Sequence, residues 1–210
     1  MSDRTLPWAE TVAVFERRGL PESSYRNLYD ETYDVRSGSL EIPGPLDLDA
    51  RDWTSATGVV VDGDLTVRGS VLNVDDGCPA LVVLGDLRAA DVYLEGDVKL
   101  LVLGSVTVDG AFIGNMTDKL VMVHGDLKAA VTLLSSEFAP DLIGGTLHGP
   151  VLAPRYLGLG HDLDPAAVLV PEVLRAEGDD PDDLRCFDIP KVHGGRLLER
   201  IEGRLPVVLG

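Results

Sequence analysis

Leu81-Val-Val-Leu-Gly85-Asp-Leu-Arg-Ala89 is followed by Leu100-Leu-Val-Leu-Gly104-Ser-Val-Thr-Val108 and then by Val121-Met-Val-His-Gly125-Asp-Leu-Lys-Ala129. The same phrase is read upstream as Leu40-Glu-Ile-Pro-Gly44-Pro-Leu-Asp-Leu48 and Val59-Val-Val-Asp-Gly63-Asp-Leu-Thr-Val67, and downstream as Asp141-Leu-Ile-Gly-Gly145-Thr-Leu-His-Gly149. Anchored on these glycines, the intervals are 19, 22, 19, 21 and 20 residues. A drifting period near 20 marks a repeat architecture.

Parity around the glycine gives each repeat its conformation. Two residues before it stand Ile42, Val61, Val83, Val102, Val123 and Ile143; two after it stand Leu46, Leu65, Leu87, Val106, Leu127 and Leu147. The alternate positions after it are mostly polar, with Asp64, Asp86, Ser105 and Asp126 at the first and Thr66, Arg88, Thr107 and Lys128 at the third. Period-two alternation describes a strand with one buried face, and the β-branched column suits a strand. Shorter apolar runs follow: Val71-Leu-Asn-Val, Val92-Tyr-Leu, Ala111-Phe-Ile and Val131-Thr-Leu-Leu. No single repeat can bury its apolar face, but stacked repeats can. The chain therefore reads as an all-β protein, a parallel β-helix solenoid of about six turns with small helical segments at both ends. Its divisions are a helical cap over 1–36, the repeats over 37–155, and a helical and loop cap over 156–210.

The caps have their own signals. Pro7 to Arg18 reads as a helix closed by Gly19, with bases in its last turn and Trp8, Val12 and Phe15 on one face. A second helix is expected over Glu22 to Asp30, and the aromatics of this prefix are expected to pack on the first turn of the coil. Beyond Pro150, Asp164 followed by Pro165 is an N-cap signature. Residues 176–188 form an acidic loop with six acids and one base. Gly195 to Gly203 reads as a last helix, and Leu205 to Leu209 as an edge strand.

Charge and cysteine usage narrow the class. Net charge is −17 over 210 residues: −2 over 1–39, −11 over 40–150 and −4 over 151–210. An acidic repeat surface repels nucleic acid and anionic membranes, so neither is an expected partner. There is no apolar run of transmembrane length and no signal-peptide pattern at the start, which gives a cytoplasmic expectation. Cys78 and Cys186 lack metal spacing and are expected to be free, buried or half-buried thiols.

Chemistry-bearing residues are sparse. His124 and His148 sit at outward positions of successive repeats but out of column. His161 with Asp162 and Asp164 could hold a metal or serve acid–base work, yet capping by Asp164 accounts for it. Asp75-Asp76-Gly77 with Asp62 and Asp64 lacks the dense aspartate–glycine alternation of calcium-binding rolls. Ser23-Ser24 and Ser135-Ser136 have no base nearby in sequence, and no catalytic motif is found. No catalytic residue, metal or cofactor is expected.

One outward column breaks the polar rule. Val60, Val82, Leu101, Met122 and Leu142 lie three residues before the glycine, with Leu84 and Leu103 beside them. Stacked one per turn, they form an apolar stripe too large to stand open on a soluble monomer. Either the C-terminal helices fold back over it, or it is a surface for a protein partner or for self-association; it is the candidate interaction site.

The pattern Val82 to Ala89, echoed at Met122 to Ala129, resembles a bacterial family described as polymer-forming cytoskeletal-like and related in architecture to bactofilins. The resemblance covers about residues 40–150, and the ending Leu197-Leu-Glu-Arg-Ile-Glu-Gly-Arg-Leu-Pro-Val-Val208 is also similar to the close of those proteins. It implies a right-handed β-helix without catalysis. Bactofilins stack bare coil ends into filaments, whereas this chain has ordered-looking segments at both ends. The expected function is a non-enzymatic scaffold or protein-interaction module, with self-association as one of its modes. Two alternatives are an acidic inhibitor, such as an immunity protein or nucleic-acid mimic, and an enzyme with a site on the coil surface.

Overall fold

The computed structural model describes residues 4–50, 54, 56–77, 79–160 and 162–210; Cys78 and His161 lie outside them. The repeats form a parallel β-solenoid. Its first face stacks Thr32–Ser37, Gly58–Asp62, Ala80–Val83, Lys99–Val102, Leu120–Val123 and Leu142–Ile143, each parallel to the next. A second sheet supplies the other two faces, and its longest strands, Val106–Asn115 and Leu127–Ser135, run round the corner between them. That corner carries a register shift between Val108 and Ala111.

Inside, the columns predicted from parity meet as one core: Val61, Val83, Val102 and Val123 from the first face, Leu65, Leu87, Val106 and Leu127 from the second, and Val71, Val92 and Phe112 from the third. All are fully buried, so hydrophobic burial along the whole rod supplies the driving force. Thr132 interrupts it. Its backbone lies in register between Phe112 and Val151, and its buried hydroxyl has no hydrogen-bond partner. Thr132→Val, which keeps the shape and removes the orphan hydroxyl, is expected to stabilise by about 1 kcal/mol. A melting curve checks it, with a rise of about 2–4 °C expected for a chain of this size.

The first coil departs from the sequence register. Val35 pairs with Val60, and Leu40-Glu-Ile42 lies beside Leu65-Thr-Val67 rather than beside Val59 to Val61. The glycine opposite Gly63 is therefore Gly38, not Gly44, and the first step spans 25 residues. The reason is a ladder along the corner that follows each glycine. Backbone N–H groups of Asp64, Asp86, Ser105, Asp126 and Thr146 donate to side-chain oxygens of Ser39, Asp64, Asp86, Ser105 and Asp126, at 2.8–3.2 Å. The column needs a side-chain oxygen in every coil; Ser39 offers one and Pro45 does not.

The two ends of the chain cover two faces. Strand β1 (Arg4–Pro7) pairs antiparallel with β2 (Thr32–Ser37), an addition that the sequence pattern did not announce. Helix α1 (Trp8–Arg18) ends at Gly19, whose φ of 80° is left-handed, as glycine allows. Helix α2 is short, Glu22–Tyr25. The C-terminal segment, short 3₁₀ turns and α3 (Gly194–Glu202), covers the third face. Tyr93, Ile113, Val131 and Leu133 of that face are buried with Leu169, Val173, Leu197 and Ile201. Asp164 caps the turn Pro165–Ala167 by accepting from the Ala166 N–H at 3.1 Å, and Val208 makes only an isolated antiparallel bridge to Leu169. No helix among the described residues is long and apolar enough to cross a membrane.

Candidate interaction surface

The apolar stripe is real, and the chain itself occupies much of it. Val60, Val82 and Leu101 are fully buried and Leu84 nearly so, in one cluster with Val14, Phe15, Leu20, Tyr25 and Leu28. The cover is N-terminal rather than C-terminal, and it spreads over several coils instead of the first turn alone. Trp8 lies edge-on to Phe15 and Tyr25, with centroids 6.2 and 6.3 Å apart, a geometry that aromatic quadrupoles favour. Leu103, Met122 and Leu142 are half-buried. The stripe thus emerges from its cover toward the last coils.

Polar contacts pin the cover at intervals. Arg18 Nε lies 3.0 Å from an Asp62 carboxylate oxygen, and Arg17 reaches the other oxygen at 3.4 Å. Lys99 Nζ donates to the Asn27 carbonyl at 2.7 Å and stands 3.6 Å over the Tyr29 ring. Ser24 Oγ and His124 Nε2 are 3.0 Å apart, although far apart in sequence. Ser24 is 2% exposed, and the pair joins α2 to the fifth coil. Burial holds the His124 imidazole below its ordinary pKa of 6.5. The unfolded chain therefore binds this proton first, and the stability gained by keeping His124 neutral is present above pH 6.5 and lost as pH falls through that value. The melting midpoint is expected to drop between pH 7.5 and 5.5, and to drop less in His124→Gln. Equal slopes for the two proteins would remove His124 from the account.

A second set of contacts clasps the C-terminal cover. Arg185 makes a two-pronged pair with Glu95, at 2.5 and 3.1 Å, and Glu95 also accepts from the Tyr93 hydroxyl. Burial, with the Glu95 charge beside it, pushes the Tyr93 phenol up. The Arg185 carbonyl accepts from Asn115, the Cys186 carbonyl from Ser136, and Asp188 from Ser135, the Ser136 N–H and Tyr156. Residues 185–188 thus cross successive coils, with Arg185 and Cys186 both at positive φ. Cys186 is a free and exposed thiol, not a buried one. Further along, Asp179 is held low by the Ala176 N–H and by Arg196, and it stands 3.9 Å from His193 Nε2. His193 Nδ1 in turn accepts from the Arg196 N–H, capping α3.

The second face is left open. Glu41, Thr66, Arg88, Thr107, Lys128 and His148 stand outward on it in successive coils. Glu41 pairs with Arg68 at 2.8 Å and His148 with Asp126 at 3.4 Å, both at the surface, where such pairs add little. The aligned acids Asp64, Asp86 and Asp126 each have one carboxylate oxygen engaged by the ladder. Among the described residues, no three His, Cys, Asp or Glu side chains gather as a metal site. Comparison with models of known families, with characterised proteins and with solved structures finds no match to this chain.

Proposed function

We propose that the protein is a non-enzymatic scaffold or protein-interaction module, a rigid β-solenoid offering its uncovered surfaces to a protein partner. One observation carries the reading. Of the groups that the fold brings together with chemical potential, Ser24 with His124 and Asp188 with Ser135 and Tyr156 join a cover to the solenoid, and Asp179 with His193 and Arg196 ties the C-terminal cover to itself. The polar second face stands open, and so does a cleft in the C-terminal cover lined by Asp179, Asp183, His193, Arg196 and Glu199. The ladder gives the acidic column a structural job, which favours this reading over imitation of a nucleic acid. A photo-crosslinking residue placed at Thr107 or Lys128 on the second face, or at the exposed Leu159 after the exit turn, is expected to yield protein adducts in an extract of the source cells. The same residue placed in the cover at Val12 is expected to yield none. Absence of adducts at every position would overturn the proposal.

A further inference from the structure

The cleft in the C-terminal cover has a volume of about 820 Å³ and is walled by the turn Pro181–Leu184 and by α3. A methyl group on Gly194 or Gly195 would fall 2.4 Å from the carbonyl oxygens of Leu184 and Asp183. The start of α3 therefore lies against the turn as only glycine permits. Six acids and two bases line the space, and both bases are engaged. Arg185 is paired with Glu95; Arg196 donates to Asp179 at 2.5 Å and to the Leu174 carbonyl at 2.9 Å. Among the described residues, Asp182, Asp183, Glu199 and Glu202 have no ion pair or side-chain hydrogen bond.

Glu199 and Glu202 stand one turn apart at the end of α3. Like charges at that spacing repel, and carboxylates are disfavoured at the negative end of a helix dipole. Arg200, the base of that last turn, donates instead to the Pro206 carbonyl at 3.0 Å. A second group is unsatisfied. His193 is 4% exposed and lines the cleft. Its Nδ1 accepts from the Arg196 N–H at 3.3 Å, which puts the proton of the neutral ring on Nε2. That N–H is 3.9 Å from the Asp179 carboxylate, too far for a hydrogen bond. Both oxygens of Asp179 are already taken, by Arg196 and by the Ala176 N–H. The cleft thus sets a buried donor without an acceptor beside acids without a cation.

We infer that this cleft takes an arginine- or lysine-bearing segment of a protein partner. The inference rests on the interaction-module reading and names the chemistry the partner must carry. Its cations pair with Asp182 and Asp183 on one wall and with Glu199 and Glu202 on the other, while a backbone carbonyl accepts from His193 Nε2. A polyamine would supply the cations and no acceptor. A metal ion is a poor fit, since no three His, Cys, Asp or Glu side chains gather among the described residues.

Fluorescence anisotropy of the purified full chain tests it, with a labelled, capped peptide of alternating arginine and glycine, charge-matched to spermidine. Salt is held at about 0.15 M, where a Debye length of about 8 Å screens the diffuse field of the −17 chain. The arginine peptide is expected to bind, its glutamine counterpart is not, and spermidine is expected to compete about tenfold more weakly. Glu199→Gln with Glu202→Gln is expected to weaken the peptide at least about tenfold. Glu10→Gln with Glu16→Gln, the same change of charge on the N-terminal cover, leaves it unchanged. His193→Asn keeps an N-cap acceptor but is too short to reach the place of Nε2. It is expected to weaken the peptide about threefold or more and to leave spermidine unaffected. If His193→Asn fails to fold, the glutamate pair and the spermidine comparison decide the matter. No binding up to about 1 mM, equal binding of the glutamine peptide, equal loss in the Glu10 and Glu16 pair, or spermidine as strong as the peptide would each overturn the inference. Adducts captured at Thr107 on the second face would survive that failure, which separates the two readings.

Discussion

Leu101→Asp is expected to destabilise the protein by about 4–5 kcal/mol and to detach the N-terminal cover. Leu101 is fully buried, in register between Val82 and Met122, and belongs to the cluster that holds Phe15, Leu20 and Tyr25. A carboxylate there would have no water, and the cluster offers it no hydrogen-bond donor from the apolar side chains around it. The charge would be avoided by protonation, so the loss is expected to be greater at pH 7.5 than at pH 4.5. Leu103→Asp, at a half-buried position beside it, is expected to cost markedly less. Thermal melting followed by near-ultraviolet circular dichroism reads both the midpoint and the ordering of Trp8 over the stripe. A Leu101→Asp protein with the wild-type midpoint would show that the stripe stands open in solution, and would return it to the list of partner surfaces.

The solenoid was legible because its signal is repeated. Each inward column recurs in successive coils, so one ambiguous coil does not hide the period. The covers were legible as helices and apolar runs but not as to destination. Trp8, Val12 and Phe15 declare an apolar face, yet nothing local says which face of the rod receives it; that depends on the turn over residues 19–31 and on the pairing of β1 with β2. Register failed in the first coil for a chemical reason. Gly44-Pro45-Leu46-Asp47-Leu48 fits the hydrophobic pattern, but Gly38-Ser39-Leu40-Glu41-Ile42 fits it too and places an oxygen where the Asp64 N–H needs an acceptor. Comparing it with Gly104-Ser105-Val106-Thr107-Val108 would have decided the register. The Ser24–His124 contact and the clasp at 185–188 join residues tens of positions apart through non-repeating segments, so periodicity holds no trace of them. The stripe was found as a pattern, while its partner, the chain's own first helices, was not.

Gly104→Ala is expected to cost about 3 kcal/mol, a fall of about 6–12 °C in the melting midpoint. A methyl group on Gly104 would fall 2.6 Å from the Gly85 carbonyl oxygen and closer still to the Asp86 carboxylate. Both atoms belong to the stacked corner: Gly104 N–H donates to the Gly85 carbonyl at 2.9 Å and Ser105 N–H to Asp86 at 2.8 Å. Gly77→Ala is the control, because its methyl meets nothing within 4 Å and its φ is not left-handed; it is expected to be neutral or to stabilise by up to about 1 kcal/mol. Combining Gly104→Ala with Asp86→Ala separates the two obstacles. Removing the carboxylate clears one contact but also deprives the Ser105 N–H of its acceptor, and the Gly85 carbonyl stays where coil stacking puts it. The double variant is therefore expected to recover no more than part of the loss. Full recovery would mean that the glycine column exists only to make room for the ladder's carboxylates. Failure to recover would place its origin in the approach of one backbone to the next, which sets the spacing of every coil in the rod.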